Sequence, residues 1–142
     1  MILLDANILL RMVNDRDPDY WHTLEIVFYC SQTDSLVIAN QTLYEFWAVA
    51  TRPFTSNGLG MATDQASRWI KRYTQRFELL ADPPTLFDVW ADLVAKYQIT
   101  GIHAHDARYV ALCHALNIPK LMTYNVKHYQ KLPITIVDPS NF

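Results

Sequence analysis

Short runs of mostly apolar residues, too brief for helices, punctuate this chain between amphipathic stretches. They are Met1–Leu4 (MILL), Leu36–Ala39 (LVIA), Lys120–Thr123 (KLMT) and Ile134–Val137 (ITIV), with Phe77–Ala81 (FELLA) as a further candidate. Between them apolar residues recur at helical spacing, as Trp21, Leu24, Val27 and Phe28 do within 18–33. A second helix is expected from Asn40 or Gln41 to about Thr51, where Arg52-Pro53 ends it. Thr63 is the expected N-cap of a helix over Asp64–Arg76. Pro83-Pro84 should open another through about Tyr97, with Leu86, Val89, Trp90, Leu93 and Val94 on one face. Gly101 breaks the chain before a last helix, about His105–Leu116. Strands alternating with helices in this way form parallel βαβ units, and the fold class is α/β.

With 142 residues and no internal repeat or linker, one domain spanning 1–142 is expected. Hydrophobic residues make up 51% and charged ones 18%, enough for a sizeable core. Three glycines exclude a glycine-rich phosphate loop. The run MILLDANILL lacks a basic flank, and Asp5 and Asn7 interrupt it, so it reads as a strand and a helix start rather than a targeting segment. No stretch approaches the twenty apolar residues a membrane helix needs, so no membrane partner and a cytoplasmic location are expected. Cys30 and Cys113 form no metal or redox motif and are expected in the core. A net charge of −2 disfavours a general nucleic-acid coat, but not an enzyme that neutralises phosphate with bound cations.

Ligands of open parallel sheets bind beyond the carboxyl ends of the strands. Asp5 follows the first strand, Glu45 lies one turn into the helix after the second, and Asp106 opens the helix before the fourth. Asn125 follows the fourth strand. Any one of these acids could be a helix cap or a solvated surface charge. Together they would repel one another, a conflict a divalent cation removes. Oxygen-only ligands suit magnesium or manganese, which can activate water and offset charge on a phosphodiester under attack.

The string LLDANILLR around Asp5 resembles the opening of PIN domains, with Asn7 in the place of a small polar residue. LYEFWAVATRP around Glu45, GIHAHDARYVAL around Asp106 and LMTYNVKHYQKL around Asn125 look like the second, third and fourth motifs of the PIN-domain toxin ribonucleases called VapC. The four segments follow the family's order along nearly the whole chain. The resemblance implies a three-layer sandwich, with a central, mostly parallel sheet of four to five strands flanked by helices. It implies a divalent-metal-dependent endoribonuclease, the toxin of a toxin–antitoxin pair, with Asp5, Glu45 and Asp106 as metal-binding and catalytic residues and Asn125 as a further catalytic residue. Mg2+ or Mn2+ would be the cofactor, and RNA, a cognate antitoxin and a second copy of the chain the partners. The family often has an acid at the Asn125 position and another three residues on, where this chain has His128.

Asn7, Arg52, His105 and Arg108 are candidates for substrate contact. Arg68, Arg72 and Arg76, with Lys71 beside them, form a helix stripe that could follow an RNA backbone or simply be solvated. His103, His105 and His114 match no zinc motif. Trp21, Trp47, Trp69 and Trp90 are expected mostly in the core, with some free to line a groove for a partner. The alternative functions are a PIN-like RNA- or protein-binding module with weakened catalysis, which Asn125 and His128 would suit, and a phosphoryl-accepting domain built on Asp5. The second lacks the neighbouring acid and the lysine after a later strand that such a site requires.

Overall fold

A computed structural model describes residues 1–142. The strands are β1 (Ile2–Leu4), β2 (Leu36–Ala39), β3 (Glu78–Leu80), β4 (Lys120–Met122) and β5 (Thr135–Val137). The helices are α1 (Ala6–Arg11), α2 (Tyr20–Ser31), α3 (Asn40–Thr51), α4 (Thr63–Arg76), α5 (Leu86–Lys96) and α6 (His103–Ala115). All five strands are parallel, in the spatial order β3-β2-β1-β4-β5. The chain thus builds outward from β1 in one direction and then returns to its other side. That reversal opens a crevice at the carboxyl ends of β1 and β4, where Asp5 and Thr123 stand.

Successive strand residues point to opposite faces, and here both faces are covered. Ile2 and Leu4 of β1 join Ile38, Ile8, Leu9, Val27, Phe46 and Tyr73 under α1–α4. Leu3, between them, joins Val37, Leu121, Val110, Leu112 and Leu93 under α5 and α6. The result is a three-layer α/β sandwich. Phe46 and Tyr73 meet edge to face at 5.4 Å, and the Tyr73 hydroxyl donates to the Leu9 carbonyl at 2.7 Å. These contacts lock α3 and α4 onto α1.

Several sequence expectations need correction at the level of helix ends and faces. Thr63 is the first residue of α4, with Ala62 in the cap position, so its hydroxyl caps nothing. The two prolines form a turn ahead of α5, which starts at Leu86, while α6 starts two residues early at His103. Along α2 the buried face is Thr23, Ile26, Val27 and Cys30, and Trp21 and Phe28 point outward, 73% and 63% exposed. No tryptophan is buried: Trp21 and Trp47 are exposed, and Trp69 and Trp90 only half covered. Both cysteines are buried and free, as expected. Gly101 takes a positive φ of 60°, which explains the break before α6. The arginines of α4 are engaged locally: Arg68 pairs with Asp64, and Arg72 lies over Trp69. No helix is long and apolar enough to cross a membrane.

Candidate active site

Asp5 leaves β1 in extended conformation and caps α1, accepting from the Asn7 N–H at 3.3 Å. The residue is only 5% exposed. Its other oxygen, Oδ2, accepts from the Thr123 hydroxyl at 2.7 Å and from the Tyr129 hydroxyl at 3.3 Å. Thr123 is fully buried just past β4. Its oxygen also accepts from the Asn7 amide at 2.9 Å and from the Asn125 N–H at 3.0 Å. The Asn7 carbonyl oxygen in turn accepts from the Tyr124 N–H. Asn7 and Thr123 therefore tie together the two strand ends that flank the crevice.

Glu45 is positioned through Thr42, one turn earlier on α3. The Thr42 hydroxyl donates to the Leu4 carbonyl at 3.0 Å and accepts from the Ala39 N–H, fixing the first turn of α3 beside the end of β1. Glu45 then accepts from the Gln41 amide at 2.9 Å and from the Tyr109 hydroxyl at 2.8 Å. Asp106 lies in the first turn of α6, with the Nδ1 atoms of His103 and His128 each 3.1 Å from its Oδ2.

Asp5 feels the other two acids. Burial pushes the Asp5 carboxyl up to about 6, against the opposing hydrogen bonds from Thr123 and Asn7, and the charges of Glu45 and Asp106 add to the rise. Burial, with the charges of Asp5 and Glu45, holds the Tyr109 hydroxyl far above its ordinary range, so it stays a neutral donor to Glu45. No lysine or arginine forms an ion pair with Asp5, Glu45 or Asp106. An oxygen-rich group with uncompensated negative charge fits a hard divalent cation. Asp5, Glu45 and Asp106 are the residues that could hold it.

The other candidates divide. Arg108 donates to the Gln41 side-chain oxygen at 3.1 Å and to Asp82 at 2.7 Å, so Gln41, whose amide donates to Glu45, links it to that acid. His105 is exposed, and its backbone carbonyl accepts from Gln41 at 2.8 Å. Asn125 is exposed, and its side chain bonds to none of the acids. Asn7 is buried and engaged between the strand ends. Arg52 is not brought to the group: it stands about two helical turns beyond Glu45 and donates to the Asn57 carbonyl of the following loop. His105 and His114 do not converge on His103, because His114 faces the Pro133 carbonyl. Sequence reasoning does not single out Thr123, Tyr109, Tyr129 or Gln41 as site residues, and it sets His103 aside as a zinc ligand because its spacing matches no zinc motif. Thr123 bears the same relation to β4 that Asp5 bears to β1, and Tyr109 sits three residues from Asp106, a spacing that places them on one face of α6.

Comparison of the sequence with curated proteins finds no significant match. Among solved structures, VapBC-1 of nontypeable Haemophilus influenzae superposes with a TM-score of 0.70 at 24% identity, covering 99% of each chain. VapBC2 of Rickettsia felis, bound to a fragment of promoter DNA, gives 0.72 at 18% identity over 97% of this chain and 98% of that one. Mycobacterium tuberculosis VapC20, a toxin that cleaves the sarcin–ricin loop, gives 0.63 at 15% identity over 85% and 87%. At these identities the likeness is one of fold. The PIN domain family model matches residues 2–131, and with β1, β2, β4 and all three acids inside that span the chain belongs to the PIN domain family.

Proposed function

We propose that this chain is a divalent-cation-dependent endoribonuclease that hydrolyses RNA phosphodiester bonds and is held in check by a cognate antitoxin protein. The observation that carries the reading is the buried Asp5 carboxyl, raised by its burial and by the charges of Glu45 and Asp106, with no lysine or arginine paired to any of the three. Mg2+ or Mn2+ held by these acids would supply an activated water and offset charge on the scissile phosphate. The chain's own groups hold the acids in place. Thr123 and Tyr129 orient Asp5, Gln41 and Tyr109 orient Glu45, and two imidazoles flank Asp106.

Arg108 and His105 stand where a substrate phosphate would pass the rim, and Asn125 offers an unengaged amide beside Thr123. Arg52 could meet RNA only further along the strand, and Asn7 acts by holding the strand ends. A toxin–antitoxin complex from Klebsiella pneumoniae is among the neighbours of the same fold, which supports a protein partner here. The exposed Trp21 and Phe28 of α2 and Tyr44 and Trp47 of α3 offer apolar surface for that partner or for a second copy of the chain. A single domain acting in the cytoplasm accords with this role.

The test is cleavage of structured RNA by the purified protein. Mg2+ or Mn2+ should support cleavage, EDTA should stop it, and Asp5→Asn or Asp106→Asn should abolish it. Undiminished cleavage by either variant would refute the mechanism. RNA binding without cleavage under any divalent ion would instead favour the binding-module reading, which the unengaged Asn125 suits.

A further inference from the structure

We propose that His103, Asp106 and His128 form a nitrogen-rich cation position that takes zinc, or a neighbouring first-row ion, ahead of magnesium. The inference shares Asp106 with the nuclease reading and deepens it by naming a second class of ion for the site.

The three side chains come from two segments that the fold brings together. His103 and Asp106 are three apart at the start of α6, so they lie on one helix face. His128 belongs to the 3-10 turn Val126–Tyr129 after β4, which is pinned by the buried Tyr129 and by the bond from its own N–H to the Asn125 carbonyl. The Nδ1 atoms of both histidines and the Asp106 oxygen lie within 4.8 Å of one another. Each Nδ1–Oδ2 separation is 3.1 Å, the edge expected between adjacent ligands about 2.0–2.2 Å from a shared ion. The rings meet edge to face, with centroids 5.0 Å apart.

A second feature separates this arrangement from ordinary hydrogen bonding. The His128 Nδ1 is closed to solvent yet makes no aligned hydrogen bond, although a carboxylate oxygen is 3.1 Å away. A buried ring nitrogen without an aligned partner is costly, and an ion between the three atoms would satisfy it. No protein group donates to the other Asp106 oxygen, which leaves it free for a further ligand. Two imidazoles and one carboxylate suit zinc or its first-row neighbours, with a further position open to water or phosphate, whereas magnesium takes oxygen ligands and keeps its waters.

The test uses the intact protein without RNA. Titration calorimetry with ZnCl2 and with MgCl2 should show zinc binding at least ~10-fold more tightly. Long-range 1H–15N spectra of the five histidines should show Nδ1 of His103 and His128 shifting with zinc while those of His22, His105 and His114 stay in place. His103→Gln and His128→Asn should each weaken zinc by about 10-fold or more, a larger loss than either causes in magnesium affinity. Unshifted His103 and His128 nitrogens in the wild-type protein would overturn the proposal, whether or not the variants fold. Zinc affinity equal in wild type and both variants would also overturn it. Magnesium-dependent RNA cleavage that is lost in Asp5→Asn, together with no imidazole shift on adding zinc, would sink this site while leaving the nuclease reading intact. Zinc-shifted imidazoles in a protein that cleaves no RNA would support this site and sink only the nuclease reading.

Discussion

Replacing Thr123 with valine keeps the shape of a fully buried side chain and removes one hydroxyl from the centre of the site. That hydroxyl donates to Asp5 at 2.7 Å, accepts from the Asn7 amide at 2.9 Å and accepts from the Asn125 N–H at 3.0 Å. A hydrogen bond to a charged group contributes about 1.5–3 kcal/mol, and a buried amide left without a partner costs about 1–3 kcal/mol. The exposed Asn125 can turn to water, and the Tyr129 hydroxyl stays on Asp5 at 3.3 Å, so both soften the loss. A destabilisation of about 2–5 kcal/mol follows.

The loss depends on pH in a defined direction. Asp5 holds its proton more tightly folded than unfolded, with its carboxyl raised from 3.8 to about 6. Its contribution is therefore full below 3.8 and is lost as pH rises through about 6. The Thr123 bond restrains that rise, so removing it makes the ionised form costlier still. Urea unfolding in EDTA, followed by tryptophan fluorescence, should give a larger deficit for Thr123→Val near pH ~7.5 than near pH ~5, and Thr123→Ser should recover most of it. A deficit below about 0.5 kcal/mol, or one equal at both pH values, would refute the role given to this hydroxyl.

Three further outcomes follow from the same geometry. A divalent cation at about 100 times its Kd should stabilise the chain by about 2.7 kcal/mol near neutral pH, and calorimetric melting should show that gain shrinking near pH ~5 as Asp5 protonates. Tyr109→Phe removes a neutral donor from Glu45, and titration calorimetry should record divalent affinity about 10-fold weaker with secondary structure intact by circular dichroism. Phe46→Ala hollows the packing between α3 and Tyr73 and should cost about 3–5 kcal/mol by denaturant unfolding, with a weaker metal site because α3 carries Glu45.

Much of the fold was legible because the strands are covered on both sides. MILL and LVIA read as apolar without alternation for the reason that Leu3 and Val37 serve one layer while Ile2, Leu4 and Ile38 serve the other. The acids stood out because their sequence positions fall at strand ends, where such sheets leave a crevice. Helix faces were harder. In α2 the large aromatic residues Trp21 and Phe28 suggest a core stripe, whereas the buried face is Thr23, Ile26, Val27 and Cys30. Neutral partners were hidden for a chemical reason. Thr123 sits in an apolar run where a threonine reads as an ordinary strand residue, and only its neighbours in space, Asp5 and Asn7, reveal its task. His103 and His128 are 25 residues apart, and nothing in their spacing announces that both reach Asp106.

The central claim is that Asp5, Glu45 and Asp106 hold one cation between them. Electron paramagnetic resonance of a Mn2+ titration, on wild type and on Asp5→Asn, Glu45→Gln and Asp106→Asn, measures this without RNA or turnover. The account predicts saturable binding by the wild type and a marked loss in each single variant. Binding undiminished in any two of the three would contradict it.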